Sequence, residues 1–342
     1  MNNKLALNIF KYIASFALAG GLIYVLFKNQ DPVKLIEEIQ KVDSKWVILS
    51  MIFGAWAYVS RGLRWIILID SLGYKSSKLN SIASVSIGYF TNLFIPRAGE
   101  ISRCTSLNQV EKTPIDKLFG TIILERIIDF ITLLILLLTT LLLKYNTLFN
   151  FYSTLVAQEN NSSKNGITYI IILSILIVFI VCLFITKKYF SHTAIYKKAI
   201  DFYHGLKEGL ASIKNMKNKT RFWMHTFNIW LMYFLMTYIC FFSMHDTSHL
   251  TLADGLFVLV LGGIGMVIPT PGGVGSYHAI VMIGLSVLGI GTIYLGEGGD
   301  PSNPALLFPT IVHVAQTLVA IIMGSAGLLI LFLSKKKKDV TS

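Results

Sequence analysis

The sequence predicts an all-α polytopic membrane protein, and three observations predict it: 54% of its residues are hydrophobic, only 14% are charged, and the mean hydropathy is positive. An ordinary soluble domain carries about a quarter of its residues charged. The expected architecture is six long transmembrane helices plus two broken or re-entrant helical hairpins. The whole of 1–342 reads as a single integral-membrane domain, with a first half over 1–143 and a second over 167–338.

Crossing a bilayer takes about 20 consecutive apolar residues, and six runs meet that standard: 7–27, 46–69, 118–143, 167–186, 222–244 and 305–333. The first follows Lys4 and contains Lys11. It exceeds a signal-peptide core and lacks a small-residue cleavage site, so a retained helix is expected. The loop from Lys28 to Lys45 mixes Lys34 and Lys41 with Asp31, Glu37, Glu38 and Asp43, a short amphipathic surface segment. Two more regions, 81–110 and 252–295, are apolar but interrupted.

Loop charge sets the expected orientation. Lys187, Lys188, Lys197, Lys198, Lys207, Lys214, Lys217, Lys219 and Arg221 crowd one connection, and Lys335 to Lys338 lie near the C-terminal end; both belong in the cytoplasm. The connections Asn146–Asn165, His245–Leu250 and Gly296–Asn303 carry almost no Lys or Arg and belong outside. Both termini are then cytoplasmic, in a bacterial plasma (inner) membrane. Segment 81–110 starts and ends inside, and segment 252–295 starts and ends outside, as a re-entrant hairpin or, for the second, a pair of short spans. Each half has two spans, one hairpin and one span. An odd number of crossings per half makes the second half an inverted repeat of the first, a recurrent transporter plan. Ile95-Pro96-x-x-Gly99 and Ile268-Pro269-x-x-Gly272 echo each other at matching places.

The formal net charge of +12 is explained by this loop pattern, and no nucleic-acid partner is expected. Cys104, Cys182 and Cys240 lie far apart, with no metal-ligand spacing, and read as packing residues; no metal or other cofactor is expected. Walker A, His-Glu-x-x-His and Gly-x-Ser-x-Gly sequences are all missing, so no catalytic residue is assigned. Asn160 and Asn161 begin Asn-x-Ser sequons in an expected outer loop.

The chain is organised around Asn92–Arg103. Pro96 removes a backbone donor and Gly99 tolerates positive φ, so the helix ending near Ile95 must break. Unpaired backbone groups in hydrocarbon cost several kcal/mol each, about 2–7, which a polar cavity offsets. With a new helix starting at Gly99, Arg97, Glu100 and Arg103 fall three residues apart on one face, where guanidinium forks match phosphate oxygens. A solvated cytoplasmic loop has the same composition. The third span adds Glu125, Arg126 and Asp129; Glu125 and Asp129 share a face at i, i+4, and Arg126 can bridge to Asp129 at i, i+3. Their expected partners are Arg97 and Arg103, or Arg61 and Arg64 of the second span. Arg64 can also snorkel to the surface beside Trp65. A buried ion network that only locks helices together is the structural alternative.

In the second hairpin, Pro269-Thr270-Pro271-Gly272-Gly273-Val274-Gly275 cannot be regular helix. A helix starting near Gly275 would offer its N-terminal amides to an anion. Tyr277 and His278 lie in its first turn, and His313 and Gln316 share a face of the last span; these four are candidate polar lining, by hydrogen bonding between helices or as a proton relay.

Four motifs in order, Arg61-x-x-Arg64-Trp65, Pro96-Arg97-Ala98-Gly99-Glu100-x-x-Arg103, Glu125-Arg126-x-x-Asp129 and Pro269-x-Pro271-Gly272-Gly273-x-Gly275, give a resemblance to a known family. Over nearly its whole length the chain resembles the transmembrane region of the lysylphosphatidylglycerol synthase family, the flippase-like domain of the multiple peptide resistance factor. The resemblance implies movement of an aminoacylated lipid between leaflets in two-domain members, while a separate cytoplasmic domain attaches the amino acid. That second domain is not expected in this chain, which argues against lysyl transfer. At the position where the family often has an acidic residue, this chain has His278.

The expected function is therefore translocation of a phosphate-containing lipid, with Arg61, Arg64, Arg97, Glu100, Arg103, Glu125, Arg126 and Asp129 binding the headgroup and membrane phospholipid as the partner. A membrane-embedded transferase acting on a lipid-linked substrate is one rival. A membrane partner of a separate synthase is the other, and a second copy of the chain is a further candidate partner.

Overall fold

The computed structural model describes residues 2–159, 216, 218–293 and 303–341. The expected span over 167–186, the sequons at Asn160 and Asn161, Cys182, the basic residues from Lys187 to Lys217 and most of the Gly296–Asn303 connection lie outside the described residues. Within them every regular element is helical. The helices are α1 (Asn2–Phe27), α2 (Pro32–Gln40), α3 (Ser44–Ser71), α4 (Lys78–Phe94), α5 (Gly99–Glu111), α6 (Ile115–Leu143), α7 (Tyr145–Glu159), α8 (Lys219–Cys240), α9 (Leu252–Val267), α10 (Ser276–Val287) and α11 (Pro304–Thr341). Two compact units result, one of Met1–Leu143 with Lys217–Ser342, the other of Lys144–Met216, whose described helix is α7.

Among the described residues four helices are long and apolar enough to cross a membrane: α3, α6, α8 with its following turn, and α11. They coincide with four of the six expected spans. A fifth arises if α1 and α2 count as one broken span, but α2 turns away by 86°. The reason is local: Asp31 accepts the amides of Val33 and Lys34, Pro32 sits at the first helical position, and no residue of α2 is buried. The loop read as an amphipathic surface segment is such a helix. Asp43 caps α3 in the same way, and Thr251 and Asp254 form a capping box at the start of α9.

Both interrupted regions are helical hairpins, α4–α5 and α9–α10. α3 packs along α8, with the Ser50 hydroxyl donating to the Met236 carbonyl at 2.9 Å. α4 lies along α11, while α9 lies against α6 and α10. Small residues permit these approaches, as they do wherever lipid supplies no hydrophobic drive between helices. On α11 a methyl group added to Gly327 would sit 2.7 Å from the Ala83 carbonyl oxygen of α4. Cys104 and Cys240 are buried and unpaired, in packing positions.

Candidate functional site

The first hairpin breaks where the sequence places the break, though its parts exchange roles. α4 ends at Phe94, Ile95 is extended as a residue before proline must be, and α5 begins at Gly99. The positive φ falls on Arg97 (62°) and not on Gly99. A side chain in that conformation costs roughly 1–2 kcal/mol. Arg97 is held there by its own guanidinium, which donates to the Val267 carbonyl at the end of α9, 3.1 Å away. Gly99 is needed for close approach instead: a methyl group there would collide with the Gly88 carbonyl and the Asn92 amide of α4. Its amide donates to the Asn92 side-chain oxygen at 2.7 Å, which satisfies one orphan donor of the new helix.

With α4 and α5 pressed together, Arg103 turns inward to α6 and α3. Its guanidinium donates to Glu125 at 2.7 Å and lies over the Trp65 ring, 3.8 Å from the centroid. Trp65 is fixed by its indole N–H, which donates to Thr121 at 2.8 Å. From α3, Arg61 and Arg64 each reach Asp129 at 2.8 Å, and Arg64 Nε lies 3.5 Å from Glu125. Glu100 takes the outermost place, paired with Arg126 at 2.9 Å. α5 and α6 are thus linked twice with opposite polarity, Arg103 to Glu125 and Glu100 to Arg126. The i, i+3 bridge from Arg126 to Asp129 that spacing allows is not the one formed, because Asp129 faces α3.

Burial sorts the members. The Arg64 and Glu125 side chains are 0% and 1% exposed, so Arg64 does not snorkel; Arg126 and Glu100 are 48% and 26% exposed. Four guanidinium groups face three carboxylates, leaving one positive charge in excess. Arg103 Nε and Nη2, Arg61 Nε and one Glu125 oxygen are buried without a hydrogen-bond partner among the described residues. Arg61, Arg103, Arg126, Glu100, Asn92 and Tyr89 border a cavity of about 20 Å³, room for about one water molecule. Arg97 stands apart: it is exposed, and it does not border that cavity.

An aromatic cage that sequence reading missed surrounds this network. Tyr89 and Tyr233 each place a ring about 5.9 Å from the Arg61 guanidinium, and their hydroxyls lie 2.9 Å apart. Tyr58 stacks on Tyr89, and Phe222 covers Arg64. A signal was present in the sequence: Tyr58 precedes Arg61 by one helical turn, so both project from one face of α3.

The second hairpin tip is neutral. Pro269 and Pro271 end α9 and start a tight turn in which Gly272, Gly273 and Gly275 all have positive φ, 58°, 82° and 82°. Thr270 and Ser276 hydroxyls bond at 2.8 Å, and the Gly272 carbonyl meets His313 Nε2 at 2.9 Å. His278 packs 4.8 Å from His313 ring to ring, and its Nδ1 is buried without a partner among the described residues. Gln316 lies beside the hydroxyl of Tyr277, which is itself buried. The two tips are neighbours: a methyl group on Gly272 would lie 3.2 Å from the Leu93 side chain. All four polar-lining candidates therefore gather beside the second break, while the charged candidates other than Arg97 gather behind the first. Among the described residues no cluster of three or more metal-ligating side chains occurs.

Long apolar helices, paired helical hairpins and a charge network buried between them define a polytopic helical membrane protein with a buried polar centre. A family model described as the lysylphosphatidylglycerol synthase TM region matches residues 12–324, and the chain belongs to that family. Membership connects it with membrane lipids. A UPF0104 membrane protein of Methanocaldococcus jannaschii is 30% identical over 99 residues, which is 28% of this chain and 30% of that relative. The chain thus aligns with under a third of that relative's length. No solved structure matches.

Proposed function

We propose that this protein moves a phosphate-containing lipid between membrane leaflets, in the manner of a flippase or scramblase. The observation that carries the reading is Arg103, whose Nε and Nη2 are buried without partners beside a small cavity roofed by the Glu100–Arg126 pair. A buried guanidinium with free donors is costly unless something uses them. Parting of the outer pair would open a site where Arg103 and Arg126 present phosphate-matched forks, with Arg61 and Arg64 adding positive potential. Glu100, Glu125 and Asp129 hold the guanidinium groups in place, and the one positive charge left over favours a phosphate.

Packing supports an inverted repeat of the kind that builds alternating access. α3 pairs with α8, its counterpart, and each hairpin's first arm lies against the last span of the other half, α4 on α11 and α9 on α6. In this reading six spans cross a plasma membrane, with both termini cytoplasmic beside Lys335, Lys336 and Lys337.

The test is reconstitution into vesicles carrying a fluorescent phosphatidylglycerol, with loss of signal on adding an impermeant reductant reporting movement between leaflets. Wild type is expected to accelerate exchange at least tenfold over protein-free vesicles, and Arg126→Gln, at the exposed end of the network, to reduce the rate severalfold. Equal rates for protein-containing and protein-free vesicles overturn the proposal.

A further inference from the structure

Beside the charged network lies a second cavity with the opposite character. It occupies about 510 Å³ between α6 and α9, and its walls are apolar: Phe130, Leu133, Leu134 and Leu137 on one side, Ile264 and Val267 on the other. The α6 residues fall at i, i+3, i+4 and i+7, one continuous stripe about 10 Å long. One leaflet's hydrocarbon is about 15 Å deep, so the stripe runs along most of an acyl chain.

What lifts this groove above an ordinary lipid-facing surface is the charge at one end. Arg97 donates to the carbonyl of Val267, which itself lines the groove. Among the described residues Arg97 makes this one hydrogen bond and no ion pair, so most of its fork is free. Arg126 sits one helical turn before Phe130, and its ion-pair partner Glu100 is three residues from Arg97, which puts both guanidinium groups toward one end of the stripe. The acidic groups nearby are engaged: Glu100 is paired with Arg126, and Asp129 faces inward to Arg61 and Arg64. The mouth therefore carries a free positive charge, and the remainder of the groove carries none.

Resting on the lipid-transport reading, we infer that the α6–α9 groove holds one acyl chain of an anionic phospholipid, whose phosphate is held at the mouth by Arg97. It is the waiting position from which the headgroup passes to Arg126 and Arg103. Arg97 thus has a task separate from the buried network: it selects the lipid by charge. The cost of its positive φ is met by the same Val267 bond that tethers its guanidinium to a residue of the groove wall.

The test places a tryptophan in the groove, Leu134→Trp, or outside it on the same helix, Leu138→Trp, a position that is 62% exposed and does not line the groove. Vesicles contain equal phosphatidylglycerol and phosphatidylcholine, and either one or the other carries bromine on its acyl chains. Signal from the native tryptophans is subtracted using the parent protein. Brominated phosphatidylglycerol is expected to quench Leu134→Trp about threefold more than brominated phosphatidylcholine, and Leu138→Trp equally with both. Adding Arg97→Gln should bring the ratio at position 134 to one. Equal quenching at position 134 by both lipids, or a preference that survives Arg97→Gln, overturns the inference. Because this is a binding measurement, it separates from the vesicle exchange assay: preferential quenching without lipid exchange sinks transport and leaves the groove, and exchange without preferential quenching does the reverse.

Discussion

The two hairpins have the same outline and opposite chemistry. Each has a helix ending at an Ile-Pro step and a second helix starting within eight residues, and their tips touch at Leu93 and Gly272. The first gathers charge around its break: Arg97 caps the end of α9 in the neighbouring hairpin, and Arg103 and Glu100 cross to α6, while the neutral Asn92 caps Gly99. The second has no charge of its own at its break, only three positive-φ glycines, a Thr270–Ser276 bond and a histidine on the Gly272 carbonyl, and it borrows Arg97 for the Val267 carbonyl. The difference teaches that a broken helix needs only local partners to persist in a membrane. The charge buried where Arg103 of the first hairpin meets α3 and α6 exceeds what the break requires, and the proposed lipid site rests on that surplus.

The comparison breaks if the charged network proves energetically unimportant. Asp129→Ala strands Arg61 and Arg64 and is expected to cost about 3–5 kcal/mol, read as a large drop in thermal midpoint in detergent; a parent-like midpoint would dissolve the contrast. Exchanging charges tests whether the network is a set of specific pairs. Arg103→Glu and Glu125→Arg should each destabilise strongly, while the double variant recovers more than about 1.5 kcal/mol in a double-mutant cycle. Strictly additive losses would mean the pair does not interact.

Smaller effects sharpen the contrast. Gly99→Ala should cost about 1–3 kcal/mol by forcing α4 and α5 apart, measured by the same melting assay. In the neutral hairpin, His313→Phe removes one hydrogen bond and no charge, so about 0.5–1.5 kcal/mol is expected. A loss as large as that of Asp129→Ala would show that the second tip also depends on charge. Arg97→Gly should be nearly silent in stability, because relief of about 1–2 kcal/mol of backbone cost offsets a lost hydrogen bond of similar size.

Much of the site could be read in advance because charges inside apolar runs are conspicuous. Arg61, Arg64, Glu125 and Asp129 stood out by composition and helical spacing, but the sequence left two sets of partners open, Arg97 and Arg103 or Arg61 and Arg64, and packing gave Asp129 to α3 and Glu125 to both Arg64 and Arg103. Arg97 and Arg103, six residues apart and alike in type, could not be told apart that way. The turn geometry sends one to Val267 and the other to Glu125. Tyr89 and Tyr233 gave no warning, since a tyrosine in an apolar span is ordinary and only the meeting of α4 with α8 puts both rings at Arg61.

The amino-acid order by itself determined the membrane class, the positions of both helix breaks and the set of charges that must be neutralised. Hydropathy and proline chemistry act locally and have one answer wherever they occur. Which guanidinium meets which carboxylate, which residue takes the positive φ, and the apolar groove beside them were decided only when the helices packed. Those are contacts between elements that local sequence does not position; the close approach of α4 to α5, permitted by Gly88 and Gly99, goes with Arg103 turning inward to Glu125.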